Sequence, residues 1–311
     1  MLFKKLGVIC VSVSCLIISI GLSGCIGSSD ITTSSTTSQT TASAPTLGSP
    51  QGVYLFAITT GSDGNLWFTD TLKSKIGKIS PKTGVITEYN LPTINAYPNG
   101  ITAGPDGNLW FTERNGNKIG TISPRTDDIT EYAVPTADAD PNSITNYDGN
   151  LWFTEENGNN IGKISPKTGI ITEYDLPTIA ADPLDITVGP DGNIWFTEFT
   201  GNKIGKISPK TGIITEYDLP TNNAYANGTP AVITAGPDGN LWFIIGENAN
   251  NIGKISPQTG SITLYNLPAA NAYPNDIASG PDGNLWFTEF TGNQIGKISP
   301  KTGAITEYDV P

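Results

Sequence analysis

Apolar and polar residues alternate along this chain in short runs, each cut off by a cluster of Gly, Pro, Asn or Asp, and the whole arrangement recurs. The clearest copy is 104–113, Gly-Pro-Asp-Gly-Asn-Leu-Trp-Phe-Thr-Glu, repeated letter for letter at 280–289 and with Ile194 replacing Leu at 189–198. Weaker copies lie at 61–70, 147–155 and 236–245. The tryptophans of these copies, Trp67, Trp110, Trp152, Trp195, Trp242 and Trp286, fall 43, 42, 43, 47 and 44 residues apart. A period of this size fixes architecture before any local propensity is weighed.

Within the second unit the pattern predicts four strands. Residues 101–104 form strand A, 109–113 strand B, 118–122 strand C and 129–134 strand D, with turns at 105–108 and 123–126 and a stop at Pro135. Ile, Thr, Trp, Phe and Tyr fill the strands while Gly, Pro, Asn and Asp separate them. No window of helical period survives between these breakers. Six such units, 58–99, 100–142, 143–184, 185–232, 233–275 and 276–311, predict an all-β fold: a β-propeller of six four-stranded antiparallel blades. Adjacent Trp and Phe on strand B point to opposite faces of the sheet, one large aromatic into each blade–blade seam. The phase A-B-C-D is whole in every unit, which predicts a ring closed by packing of the last blade on the first. Residues 51–57 are apolar enough to lengthen the first blade.

The start of the chain breaks this pattern. Lys4 and Lys5 precede an apolar run over 6–22 and then Leu22-Ser23-Gly24-Cys25. A basic n-region, an apolar h-region and small residues before the cut describe a secretory signal over 1–24; an uncleaved anchor is the alternative, since about 17 apolar residues just span a bilayer. The Leu-Ser-Gly-Cys ending resembles a lipoprotein signal, which implies lipid on Cys25 and a protein tethered to the outer face of the cell membrane. Ser and Thr dominate 25–49, which is expected to be a flexible stalk ahead of a propeller domain over 50–311. Cys10 and Cys15 fall within the signal, so cleavage leaves no pair for a disulfide. Asn227-Gly228-Thr229 is a glycosylation sequon if the host has the machinery.

Loss of Lys4 and Lys5 with the signal leaves 15 basic against 29 acidic residues, a formal charge of −14. That surface argues against nucleic acid as a partner and is compatible with cations. No histidine occurs anywhere in the sequence. Ser-His-Asp and Cys-His nucleophilic sites, an imidazole base and zinc held by nitrogen are thereby excluded.

Comparing units, the A–B and C–D turns are monotonous, whereas the D–A loops and B–C turns, which share the opposite face, vary. Function sits on variable loops held by a rigid scaffold, so a site is placed there. Its candidates are the acid closing strand B (Asp70, Glu113, Glu155, Glu198, Glu289; Ile245 in the fifth unit) and the polar residues at the start of strand A (Asn99, Asn142, Asp185, Asn275, Asp276). Convergent carboxylates and amides would suit Mg²⁺ or Ca²⁺, with Glu113, Glu155, Glu198 and Glu289 as metal ligands; alternatively each Glu caps its own turn or pairs with a nearby Lys. The six aspartates of the Asp-Gly-Asn turns are read as turn formers.

Trp-Phe-Thr-Glu, followed by Asn-Lys-Ile-Gly-Lys-Ile at 202–207 and Ile-Thr-Glu-Tyr-Asp-Leu-Pro at 214–220, resembles the virginiamycin B lyase (streptogramin lyase) family across 58–311. The resemblance implies a monomeric seven-bladed propeller that opens the ester ring of type B streptogramins by elimination, with Mg²⁺ and a histidine base beside a glutamate. Only six units stand here. The positions matching that histidine are Phe56, Asn99, Asn142, Leu184, Ala231 and Asn275. The expected function is therefore a tethered module that binds a cation, small molecule, glycan or surface protein, or serves as a scaffold. The alternative is a lyase or lactone hydrolase working through carboxylates.

Overall fold

Each repeat folds as its alternation requires. The computed structural model describes residues 54–220, 230–245, 250–270 and 272–311; the signal, Cys25, the Ser/Thr-rich segment and the Asn227 sequon lie outside the described residues. The described strands form six sheets, each antiparallel in the order A-B-C-D, over 55–90, 98–133, 141–175, 183–218, 230–266 and 274–309. In sheet 2 strand A is Pro98–Ala103, B Leu109–Glu113, C Lys118–Ile122 and D Ile129–Ala133. Strand A thus begins three residues earlier than the pattern predicts. A bulge between Pro98 and Ile101 interrupts the alternation there, so the sequence reads as loop.

Register explains the composition. In sheet 2, Phe111 faces Gly120, and Gly120 faces Glu131. A Cβ on Gly120 would lie 2.1 Å from the Phe111 ring, so only glycine lets the ring lie flat across strand C. On the opposite face Trp110 stacks on Tyr132, centroids 5.6 Å apart, and all six sheets repeat that stack at 5.5–5.7 Å.

Five hydrophobic clusters join successive sheets. In the first, Trp67 and Ile76 of sheet 1 meet Ile101, Leu109, Phe111 and Ile122 of sheet 2, under Leu91 and Ala96 of the connecting loop. The threonine of Trp-Phe-Thr-Glu sutures the seam. Thr112 Oγ1 accepts the Gly100 N–H freed by the bulge (2.9 Å) and donates to the Asn142 carbonyl of the next sheet (2.6 Å); Thr69, Thr154 and Thr197 donate likewise to Asn99, Leu184 and Ala231.

Closure of the ring by packing of sheet 6 on sheet 1, expected from the whole repeats, is not what the structure shows. Ile58 is 62 % exposed, whereas its counterparts Ile101, Ile144, Ile186, Ile233 and Ile277 are 3–7 % exposed. Trp286 and Ile295 are only half-buried and Thr288 is exposed, and a groove of about 250 Å³ opens over Ile277, Trp286 and Ile295. Among the described residues, nothing covers the outer walls of sheets 1 and 6.

Candidate functional site

Strands A of neighbouring sheets contact one another, so the ends of these strands and the B–C turns frame the hub. In sheets 2, 3, 4 and 6 the residue before the strand-A proline adopts a left-handed conformation: Tyr97, Asp140, Asp182 and Tyr273 have φ of 50–55°. Such a φ is uncommon for any residue but glycine.

Asn117, Asn159 and Asn250, also left-handed, close the B–C turns and clasp the D–A loops, and Asn293 makes the matching bond to Val310 after the last strand. Asn117 donates to the Thr136 carbonyl (2.9 Å) and accepts from the Ala139 N–H (2.9 Å), and Asn159 makes the same pair with Thr178 and Ala181. In these three units the variable loops are thus held by the same device, whereas the first unit carries Ser74 at that position.

Of the predicted strand-A residues, the structure brings Asn99 and Asn142 together. Asn99 Nδ2 donates to Asn142 Oδ1 (2.5 Å), and Asn142 Nδ2 donates to Glu156 Oε2 (2.8 Å). Glu156 in turn accepts from Arg114 (2.6 Å), whose guanidinium also donates two 2.6 Å bonds to Asp140. Burial works against the charge on Arg114, but Asp140 and Glu156 outweigh it and raise its pKa. Burial likewise pushes the Glu156 carboxyl up, against the pull of Arg114. Asp185 lies across the hub and accepts from Ser143 Oγ (2.8 Å) and from the Ile233 and Ile186 amides (2.9 Å each). Burial raises it to about 6 in spite of these bonds, and the negative charge of Asp276 adds to the rise. Asn275 is half-buried and Asp276 exposed beside the uncovered wall of sheet 6.

Arg114, Glu156 and Asp140 are absent from the sequence-based candidates. Their signal was present: equivalent turn positions carry Thr71, Phe199 and Phe290, so Arg114 and Glu156 depart from the repeat as a complementary pair. They stand 42 residues apart, and only the seam geometry makes them partners.

The strand-B acids do not join this network. Asp70 pairs with Lys73 at 3.3 Å. Glu113, Glu155, Glu198 and Glu289 are buried and turn outward along their own sheets, under the strand-D acid. Among the described residues no three His, Cys, Asp or Glu side chains stand together as a metal would need. The four glutamates expected as ligands of Mg²⁺ or Ca²⁺ are thus not brought together among the described residues.

Six four-stranded antiparallel sheets about a polar hub define a β-propeller. The chain belongs to the virginiamycin B lyase family, which it matches over residues 28–227 and 145–311. It is similar to a streptogramin B lyase structure at 40 % identity over 85 % of each chain, TM-score 0.76. It is also similar to virginiamycin B lyase from Staphylococcus aureus at 41 % identity over 84 % of this chain and 85 % of that one, TM-score 0.75. A catalytically inactive histidine-to-alanine variant of the Staphylococcus aureus enzyme with quinupristin matches at 40 % identity, covering 84 % of this chain and 86 % of that one, TM-score 0.76. Comparison with curated protein sequences finds no match.

Proposed function

We propose that this chain is an exported, membrane-tethered propeller that binds a small molecule at its hub and leaves it intact. The carrying observation is the replacement of imidazole chemistry by an amide–carboxylate–guanidinium network: the sequence has no histidine, and the matching positions Asn99 and Asn142 bond to each other. Neither amide accepts a proton at neutral pH. A relative deprived of one histidine is catalytically inactive and was crystallised with quinupristin, which makes a cyclic depsipeptide of that class the first ligand to try. The tether rests on Leu22-Ser23-Gly24-Cys25; a glycan or a surface protein are the further ligand classes.

Titration calorimetry of the full chain with quinupristin, followed by mass spectrometry of the recovered ligand, tests the proposal. Saturable binding, unchanged by chelator, with the ligand mass unaltered is expected. A ring-opened product accumulating above a protein-free control would overturn it. The second reading, a carboxylate-driven lyase or lactone hydrolase, is favoured by Glu156 alone, whose raised pKa suits a proton acceptor. It requires turnover that disappears in Glu156→Gln.

A further inference from the structure

The strand-B glutamates stand one to a sheet, buried, in surroundings that offer almost no donors. Both carboxyl oxygens of Glu113, Glu198 and Glu289, and Oε1 of Glu155, have no hydrogen-bond donor and no contact with solvent. Burying an ionised carboxylate in that state is prohibitive. Each faces a glutamate on strand D of the same sheet. Glu113 faces Glu131 and also Lys118; Glu155 faces Glu173 and Asp175, with Asn160 donating to Oε2 (3.1 Å). Glu198 faces Glu216, Lys203 and Asp218, and Glu289 faces Glu307.

The strand-D partners are committed as acceptors. Glu131 receives the Thr93 N–H (3.0 Å), the Thr93 hydroxyl (2.7 Å) and Lys118 (2.7 Å). Glu173 receives the Thr136 N–H, Glu216 the Thr178 N–H and hydroxyl, and Glu307 the Ala269 N–H. Each is a staple between one D–A loop and the outer strand of the next sheet. The chain contains its own control in sheet 5, where the two positions are Ile245 and Leu264, an apolar pair in one cluster. The acids are exchanged as a pair, as partners in a single contact would be.

We infer that Glu113, Glu155, Glu198 and Glu289 are neutral carboxylic acids at neutral pH, with Glu113, Glu155 and Glu289 donating the proton to the strand-D glutamate of the same sheet, so that these positions hold a proton where the family resemblance implies a cation. Burial, reinforced by the facing glutamate, pushes Glu113 and Glu198 up to about 8. Glu155 also reaches about 8, with burial outweighing the Asn160 bond. Glu289, beside the uncovered wall, rises less, to about 7. Because the folded values lie above the unfolded ones, the stabilisation is complete below about pH 4.5 and is lost as pH rises toward about 8. In that window folding takes up protons.

Proton release on unfolding is read by calorimetry of the full chain at about pH 6.5 in two buffers of different ionisation enthalpy. The wild type should release about three protons more than the triple variant E113Q, E155Q, E198Q, whose amides at 113 and 155 donate the same bond at every pH. Infrared absorption of the folded wild type at neutral pH gives a second readout that needs no variant: a carbonyl band from protonated carboxyl groups is expected. Equal proton release by the two proteins, or absence of that band, overturns the inference. So does a rise in Tm with added MgCl2 or CaCl2 that the triple variant lacks.

Discussion

Asp106 illustrates what a single residue does here. The Asp-Gly-Asn turn was legible from sequence as turn chemistry, but the tryptophan it anchors was not. Asp106 Oδ1 accepts the Trp110 indole N–H at 3.1 Å while the same carboxylate also holds Asn108. Asp63, Asp191, Asp238 and Asp282 do the same for Trp67, Trp195, Trp242 and Trp286. The third unit is the exception. Its turn is one residue shorter, Asp148 is left-handed, and the buried Trp152 Nε1 has no partner. Asp106→Ala should therefore cost about 1–2 kcal/mol, the penalty for stranding a buried donor, whereas Asp148→Asn, which keeps a residue that tolerates the left-handed conformation there, should leave that donor's state unchanged. Urea unfolding midpoints of the two variants would separate them; equal losses would remove the indole bond as the cause.

At the level of the strand and loop, the strands were readable because short runs of β-branched and aromatic residues are bounded by Gly, Pro, Asn and Asp. The first residues of strand A were not, since the bulge displaces the alternation and a strand-B threonine, read as ordinary strand filler, satisfies the freed amide. Loops were readable as variable but not as fixed. Asn117 holds the loop after strand D from outside it, through Thr136 and Ala139. Asn117→Ala removes both bonds and places Ala in a left-handed conformation, for an expected loss of about 2 kcal/mol. Hydrogen exchange should show the Ala139 amide losing protection while the Phe111 amide in strand B keeps its own. Uniform loss of protection would mean that the asparagine supports the whole sheet and not the loop.

Across the propeller, stability is distributed over repeated seams, each contacting only its neighbours. The uncovered walls then make a prediction of their own. Ile144→Ala, in a filled seam, should cost about 2–4 kcal/mol. Ile58→Ala, the same residue in the repeat at an end wall, should stay within about 0.5 kcal/mol. Thermal unfolding of both variants checks this, and a large loss at Ile58 would mean that its wall is covered in solution.

Local alternation, turn residues and composition were enough to specify the sheets, their number and order, the aromatic seams and the absence of histidine from the sequence. The direction of the carboxyls needed the folded chain. Strand register turns Glu113 outward to Glu131, and seam packing joins Arg114 to Glu156 across 42 residues. Packing also keeps the end walls apart. An angle accumulated over five seams depends on how side chains interlock between sheets, and no single repeat encodes that sum.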